Sequence, residues 1–165
     1  MTNREKIYNY LAGGISNRSF RKWLLRLDND DGFFSESDFV QLKTLAVIFS
    51  NPQKVKNILQ DYIDKSIVEK LILTKRFQNL IEKDEDILIK LEKFGNIGKQ
   101  LENRKIINFV KPYKEMFLST PRLIEKENWN QEIFLEKRRI VEKYQNKIEK
   151  KISKCYKLYY FEYKE

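Results

Sequence analysis

Apolar residues recur at intervals of three and four along most of the chain, which is the spacing of one face of an α-helix. Phe20, Trp23, Leu24 and Leu27 follow it, and the alternation typical of half-buried strands is almost absent. Gly, Pro, Asn and Asp interrupt the pattern at short intervals. We therefore predict an all-α protein, a single irregular bundle of about seven or eight helices with a long C-terminal helix.

Several predicted helix ends coincide with residues that satisfy free backbone groups. Thr2 and Glu5 have the spacing of a capping box, and Gly13 with Gly14 predicts the end of that first helix. Ser35 and Asp38 predict a further helix start.

Pro and Gly predict the boundaries in the middle of the chain. Asn51 and Pro52 predict a helix start, and the apolar spacing then continues to Phe77. Gly95 to Gly98 predicts a helix end, and the following helix is expected to stop before Pro112.

The composition is that of one soluble domain over residues 1–165. Hydrophobic residues make up 41% and aromatic residues 13% of the 165, enough to form a core. No apolar run approaches the length of a membrane span, and the N-terminus does not resemble a signal peptide. We expect a cytoplasmic protein that does not interact with membranes. Its single cysteine, Cys155, is predicted to be a buried, unreactive thiol.

The sequence lacks the groups of common active sites. It contains no His, and it has no Gly-x-Ser-x-Gly elbow, Walker-type loop or Gly-x-Gly-x-x-Gly fingerprint. We expect no enzymatic activity and no cofactor.

Positive charge is concentrated in the C-terminal part of the chain. The formal net charge is +9, but Lys, Asn, Ile, Tyr and Phe are abundant together, a bias typical of AT-rich genomes. Residues 99–165 carry 17 Lys and Arg against 10 Asp and Glu, whereas residues 1–98 carry 16 against 14. The distribution is therefore more informative than the total.

A long helix is predicted from near Trp129 to about Cys155, and its basic side chains form a candidate site for nucleic acid or an acidic protein. The alternative is an ordinary solvated face, diluted by Glu136, Glu142 and Glu149. The candidate residues are Arg138, Arg139, Lys143, Lys147, Lys150, Lys151 and Lys154.

Aromatic residues cluster after this helix, at Tyr159, Tyr160, Phe161 and Tyr163. Such side chains can stack on bases or anchor a protein interface. Alternatively, they pack back on the preceding domain. Residues 157–165 are compatible with a frayed helix end or a short strand.

An acidic loop between two predicted helices, within residues 20–39, resembles an EF-hand calcium loop. Aligning Gly32 with the bend of such a loop places Asn29, Asp31 and Asp38 at ligand positions. The same alignment puts Leu27 where the first ligand belongs, and no second such loop is present. The alternative is a connection rich in turn-forming residues.

Three functions remain compatible with these features. The leading hypothesis is a non-catalytic helical protein that binds another protein, such as an inhibitor, an immunity or antitoxin-type protein, or an adaptor. The second is RNA or DNA binding through the basic side of the C-terminal helix. The third is a degenerate EF-hand-like module that binds a cation. The sequence does not indicate the oligomeric state.

Overall fold

The computed structural model describes residues 2–30, 32–48, 51–118 and 131–163, without the side chains at 117–118, 131–134, 136–138 and 141. These ranges contain eight α-helices and no strand, which confirms the all-α prediction. None of the helices described is long and apolar enough to cross a bilayer. The helices are α1 (Asn3–Leu11), α2 (Asn17–Arg26), α3 (Glu36–Ile48), α4 (Pro52–Leu59), α5 (Lys65–Glu82), α6 (Ile87–Gln100), α7 (Arg104–Leu118) and α8 (Gln131–Tyr159).

Backbone packing divides the chain into two compact units. The first consists of Met1–Ile72 with Phe161–Glu165, and the second of Leu73–Tyr160. The boundary between them falls within α5. That residues 1–165 behave as a single domain stays a prediction.

The first unit is built on α1 to α4. Its core includes Ile7, Phe20, Leu42 and Leu59, all of which are almost completely buried. The ring of Tyr10 stacks on that of Phe20, with centroids 3.8 Å apart. Helices that are individually short thus share one apolar core, which supplies most of their stability.

The predicted boundaries of α1 are confirmed. Thr2 and Glu5 form both hydrogen bonds of the capping box. At the other end, the amide of Gly14 donates to the Asn9 carbonyl, and Gly13 adopts a φ of 73°. This is the Schellman arrangement, for which glycine is suited because it reaches left-handed angles without a steric penalty.

The second unit is built on the C-terminal part of α5 with α6, α7 and α8. Phe77, Phe94, Ile106 and Ile152 are almost completely buried in its core. Cys155 belongs to the same cluster, as predicted, and burial raises the pKa of its thiol. A raised pKa disfavours the reactive thiolate.

One predicted continuous helix is interrupted. The apolar spacing after Pro52 continues to Phe77, yet α4 ends at Leu59, and a short 3-10 turn, Gln60–Tyr62, follows it. Asp64 then accepts a hydrogen bond from the Ser66 amide at 2.8 Å. The Asp carboxylate satisfies a free N–H at the start of α5, so it stabilises a new helix start where periodicity alone predicts none.

Two predicted helix ends are wrong. α6 continues through Gly95 and Gly98, and α7 contains Pro112 in its interior. The glycines instead allow α7 to lie close to α6, because a methyl group at Gly98 would come within 2.6 Å of Ile106 Cγ2. Tertiary packing overrides the local preference at both sites. At the C-terminus, α8 ends four residues beyond Cys155, at Tyr159.

Candidate binding surfaces

The basic residues of α8 lie on one side of the helix. At 3.6 residues per turn, the basic positions from 139 to 157 occupy an arc of about 120° and extend about 27 Å along the axis. Glu142 and Glu149 lie outside this arc. We define the α8 basic face as these residues: Arg139, Lys143, Lys147, Lys150, Lys151, Lys154 and Lys157.

Most side chains of the α8 basic face are exposed. Only Lys151 is partly buried, with its ammonium 5.4 Å from the centre of the Phe109 ring of α7. The Lys143 ammonium lies 5.3 Å from the Tyr144 ring. The side chain of Arg138, a further predicted site residue, lies outside the described residues. Six predicted site residues therefore lie on one side of α8, together with Lys157, which has the same helical spacing.

Glu149, one of the three acidic residues predicted to dilute this surface, pairs with a residue of another helix. The Glu149 carboxylate lies 3.8 Å from the Lys90 ammonium of α6. Lys90 is buried within the second unit, and only 9% of its side chain is exposed. Glu149 thus forms an ion pair with Lys90 of α6 and does not neutralise the charge of the α8 basic face.

All four predicted interface aromatics contact residues of their own unit. Tyr159 stacks on Phe77, with centroids 5.6 Å apart, and its hydroxyl accepts a hydrogen bond from Asn103. Tyr163 lies 4.4 Å from Tyr8 in the first unit.

The other two aromatics differ in exposure. The Phe161 ring lies 5.3 Å from the Lys70 ammonium and is partly buried. Tyr160 is 53% exposed, although its ring contacts Tyr156 edge-on at 5.6 Å. Of the predicted set, Tyr160 presents the most accessible ring to a partner.

The side chains of the predicted calcium loop make hydrogen bonds within the protein. Asn29 accepts from the Phe34 amide at 3.0 Å and donates to the Phe34 carbonyl at 2.8 Å. Asp38 accepts hydrogen bonds from the Ser35 and Tyr62 hydroxyls. Asp31 lies outside the described residues.

These hydrogen bonds give Asn29 and Asp38 structural roles. The two hydroxyl groups, that of Tyr62 foremost, lower the pKa of Asp38, because they stabilise its ionised form. Among the residues that the structure describes, no group of three or more His, Cys, Asp or Glu is arranged to hold a metal. The cation site stays a prediction, and calorimetry with millimolar calcium would test it.

The structure also reveals an apolar surface that was not predicted. Val40, Val47 and Ile48 of α3 are 59%, 65% and 64% exposed, and they surround Thr44. We call these four residues the α3 outer face. The opposite side of α3 buries Leu42 in the core of the first unit.

A sequence signal for the α3 outer face exists. α3 carries apolar residues on more positions than one buried side of a helix requires. Phe39, Leu42, Leu45 and Ala46 share the side of α3 that faces the core, and Val40 and Val47 lie outside that side. Which side of an evenly apolar helix faces solvent depends on its neighbours.

Contacts from neighbouring side chains fix the position of α3. Arg21 of α2 donates hydrogen bonds to the carbonyls of Ala46 and Val47, at 2.6 and 3.5 Å. Lys43 donates to the Leu25 carbonyl at 3.0 Å. The α3 outer face therefore lies on a helix that is held at both its middle and its C-terminal end.

Comparison with known proteins identifies no relatives: no family model matches the chain, and neither a curated protein nor a solved structure matches it significantly.

Proposed function

We propose that this chain is a non-catalytic helical protein that binds another protein through the α3 outer face. The observation that carries the proposal is the exposure of Val40, Val47 and Ile48 on one side of a single helix. Burial of a Val or Ile side chain contributes about 1.5–3 kcal/mol, so a contiguous exposed group favours association.

The setting of the α3 outer face supports a specific interface. The hydrogen bonds of Arg21 and Lys43 hold α3 against α2, so little backbone order has to be gained on binding. Lys43 and Phe39 lie at the edge of the apolar residues. The Lys43 ammonium is 5.2 Å from the centre of the Phe39 ring. An apolar centre with a polar edge is the usual composition of a protein interface.

Paired variants test this function. Val40→Lys with Val47→Lys removes the apolar centre at exposed positions, where substitution changes stability little. Ile89→Lys with Leu158→Lys is the matched control, since both residues are exposed apolar side chains on other helices. Partners are captured with each form, identified, and tested again as purified proteins.

We expect a purified partner to bind the wild type and the control equally and the α3 double variant at least about tenfold more weakly, a loss of about 1.4 kcal/mol. Equal binding by all three forms would exclude the α3 outer face as the interface.

The α8 basic face supports a second candidate function, nucleic-acid binding. Its seven positive side chains lie in one arc that contains none of the acidic residues between 139 and 157. Such a surface can neutralise successive phosphates and release their counterions. Affinity would then fall steeply with salt, with little dependence on base sequence.

A salt series separates this candidate from the first. Mixed-sequence RNA and DNA are titrated with the wild type, with Lys143→Glu, Lys147→Glu and Lys151→Glu combined, and with a control. The control combines Lys54→Glu, Lys65→Glu and Lys99→Glu, three exposed lysines on other helices, and so has the same net charge.

We expect micromolar binding with a steep salt dependence for the wild type and the control, and its loss in the α8 variant. Binding weaker than about 100 μM at low salt would exclude the nucleic-acid function. Equal losses in both triple variants would indicate a response to net charge alone.

A further inference from the structure

Polar and charged residues line a cleft between α5 and α6 in the second unit. The two helices run in opposite directions there, since Arg76 hydrogen-bonds to Gln100 while Glu85, after α5, pairs with Lys93. The cleft has a volume of about 350 Å³. This lies in the range of sites that bind small molecules, about 300–1,000 Å³.

The floor and the walls of the cleft differ in character. Leu80 and Ile97 form an apolar floor, and each is at most 4% exposed. Asn79 and Asn96 stand beside them on the two facing helices. Within the described part of the chain, neither Asn side chain has a hydrogen-bond partner. Amide groups above an apolar floor can hold a small organic molecule with hydroxyl or heterocyclic groups.

The charge of the cleft is positive. Arg76, Lys83 and Lys93 line it together with one carboxylate, Glu85. The Lys93 ammonium lies 2.7 Å from both Glu85 oxygens, and this hydrogen bond lowers the pKa of Glu85. Glu85 is therefore ionised at neutral pH, and the four side chains together carry two positive charges.

We propose that the α5–α6 cleft binds a small phosphorylated organic molecule of the size of a nucleoside monophosphate. A phosphomonoester carries about 1.5–2 negative charges at pH 7, which matches the two positive charges of the cleft. Lys83, which directly follows α5, supplies a donor for the phosphate oxygens, and Arg76 adds positive charge to the cleft. The Asn side chains and the apolar floor would contact the organic part.

This site is independent of the α3 outer face and of the α8 basic face. Phosphate groups can also bind exposed lysines weakly, so the experiment has to assign binding to the cleft. Lys83→Gln removes one cleft charge at an exposed position, and Asn79→Leu removes one amide. Lys99→Gln, on α6 but outside the cleft, is the matched control for the loss of charge.

Calorimetry is carried out with adenosine monophosphate and cytidine monophosphate, and with adenosine and inorganic phosphate for comparison. We expect at least one nucleotide to bind with a Kd between about 10 μM and 1 mM, and adenosine and phosphate to bind at least about tenfold more weakly. Lys83→Gln and Asn79→Leu should each weaken nucleotide binding about tenfold, and Lys99→Gln should not.

Two outcomes would overturn the proposal. One is the absence of heat with both nucleotides up to about 10 mM. The other is binding that neither cleft variant weakens, or that Lys99→Gln weakens equally, since nucleotides would then bind to scattered surface charges. Thermal unfolding of each variant shows whether it is folded, and Asn79→Leu tests the site without a change of charge.

Discussion

Gly98 of α6 lies directly against Ile106 of α7. A Cβ atom added to Gly98 would come within 2.6 Å of Ile106 Cγ2 and within 2.9 Å of its Cβ, distances that real side chains do not reach. The contact explains why a residue that disfavours helices stands inside α6. The close approach of α6 and α7 at this point therefore requires that position 98 carries no side chain.

We predict that Gly98→Ala destabilises the protein. The higher helix propensity of Ala contributes about 1 kcal/mol, but overpacking against β-branched Ile106 costs about 1–3 kcal/mol and can exceed that gain. Gly95→Ala is the control, because its added methyl group would meet Val110 Cγ1 at 3.2 Å, a milder contact. Urea unfolding should show a lower free energy for Gly98→Ala than for Gly95→Ala. The reverse order would show that α7 moves away easily.

Substituting Pro112 of α7 by Ala should stabilise the protein, in contrast to Gly98→Ala. Proline has no amide hydrogen, so the Asn108 carbonyl receives no hydrogen bond from position 112 in this helix. Because Pro112 is exposed, Pro112→Ala should restore that bond without disturbing the core, and raise the free energy of unfolding by about 1–3 kcal/mol. Glu115→Ala, at another exposed position of α7, should have a much smaller effect. A loss of stability in Pro112→Ala would contradict the prediction.

The hydrogen bond from Tyr62 to Asp38 predicts a pH dependence. It lowers the pKa of Asp38 in the folded protein below the ordinary value of 3.8, so the folded state binds fewer protons than the unfolded state in that range. The stabilisation is present above pH 3.8 and is lost as pH falls through the lowered pKa.

Tyr62→Phe removes this contribution. We expect it to lower the free energy of unfolding at pH 6 and to reduce the decline in stability below about pH 4. Chemical unfolding of both proteins at several pH values measures the difference. Parallel curves for the two proteins would show that Asp38 titrates normally.

Removing either partner of the Lys90–Glu149 ion pair should change stability by different amounts. Glu149→Gln leaves the buried Lys90 charge without its carboxylate and should cost about 1 kcal/mol, less than in a fully buried pair, because the Glu149 side chain is 40% exposed. Lys90→Met keeps the buried volume without the charge and should be nearly neutral. Glu115→Gln, from an exposed pair with Lys111, is the control. Equal losses in Lys90→Met and Glu149→Gln would indicate that the pair itself stabilises the fold.

Much of the fold follows from local physical chemistry that the sequence displays. The period of the apolar residues determines the all-α class, and α1 begins and ends where Thr2, Glu5 and Gly13 satisfy its backbone. The basic residues of the C-terminal helix could also be found by counting, because helical spacing places Lys143 and Lys147 on one side wherever the helix lies.

Only the tertiary structure decided the rest. Gly98 lies inside a helix because Ile106 occupies the space beside it, and a contact between two helices leaves no signal in local spacing. Leu42 and Val40 differ in burial for the same reason. Both are apolar residues of α3, but the neighbours of α3 bury the first and leave the second exposed. Sequence determines which residues can be buried, whereas packing between distant segments determines which of them are.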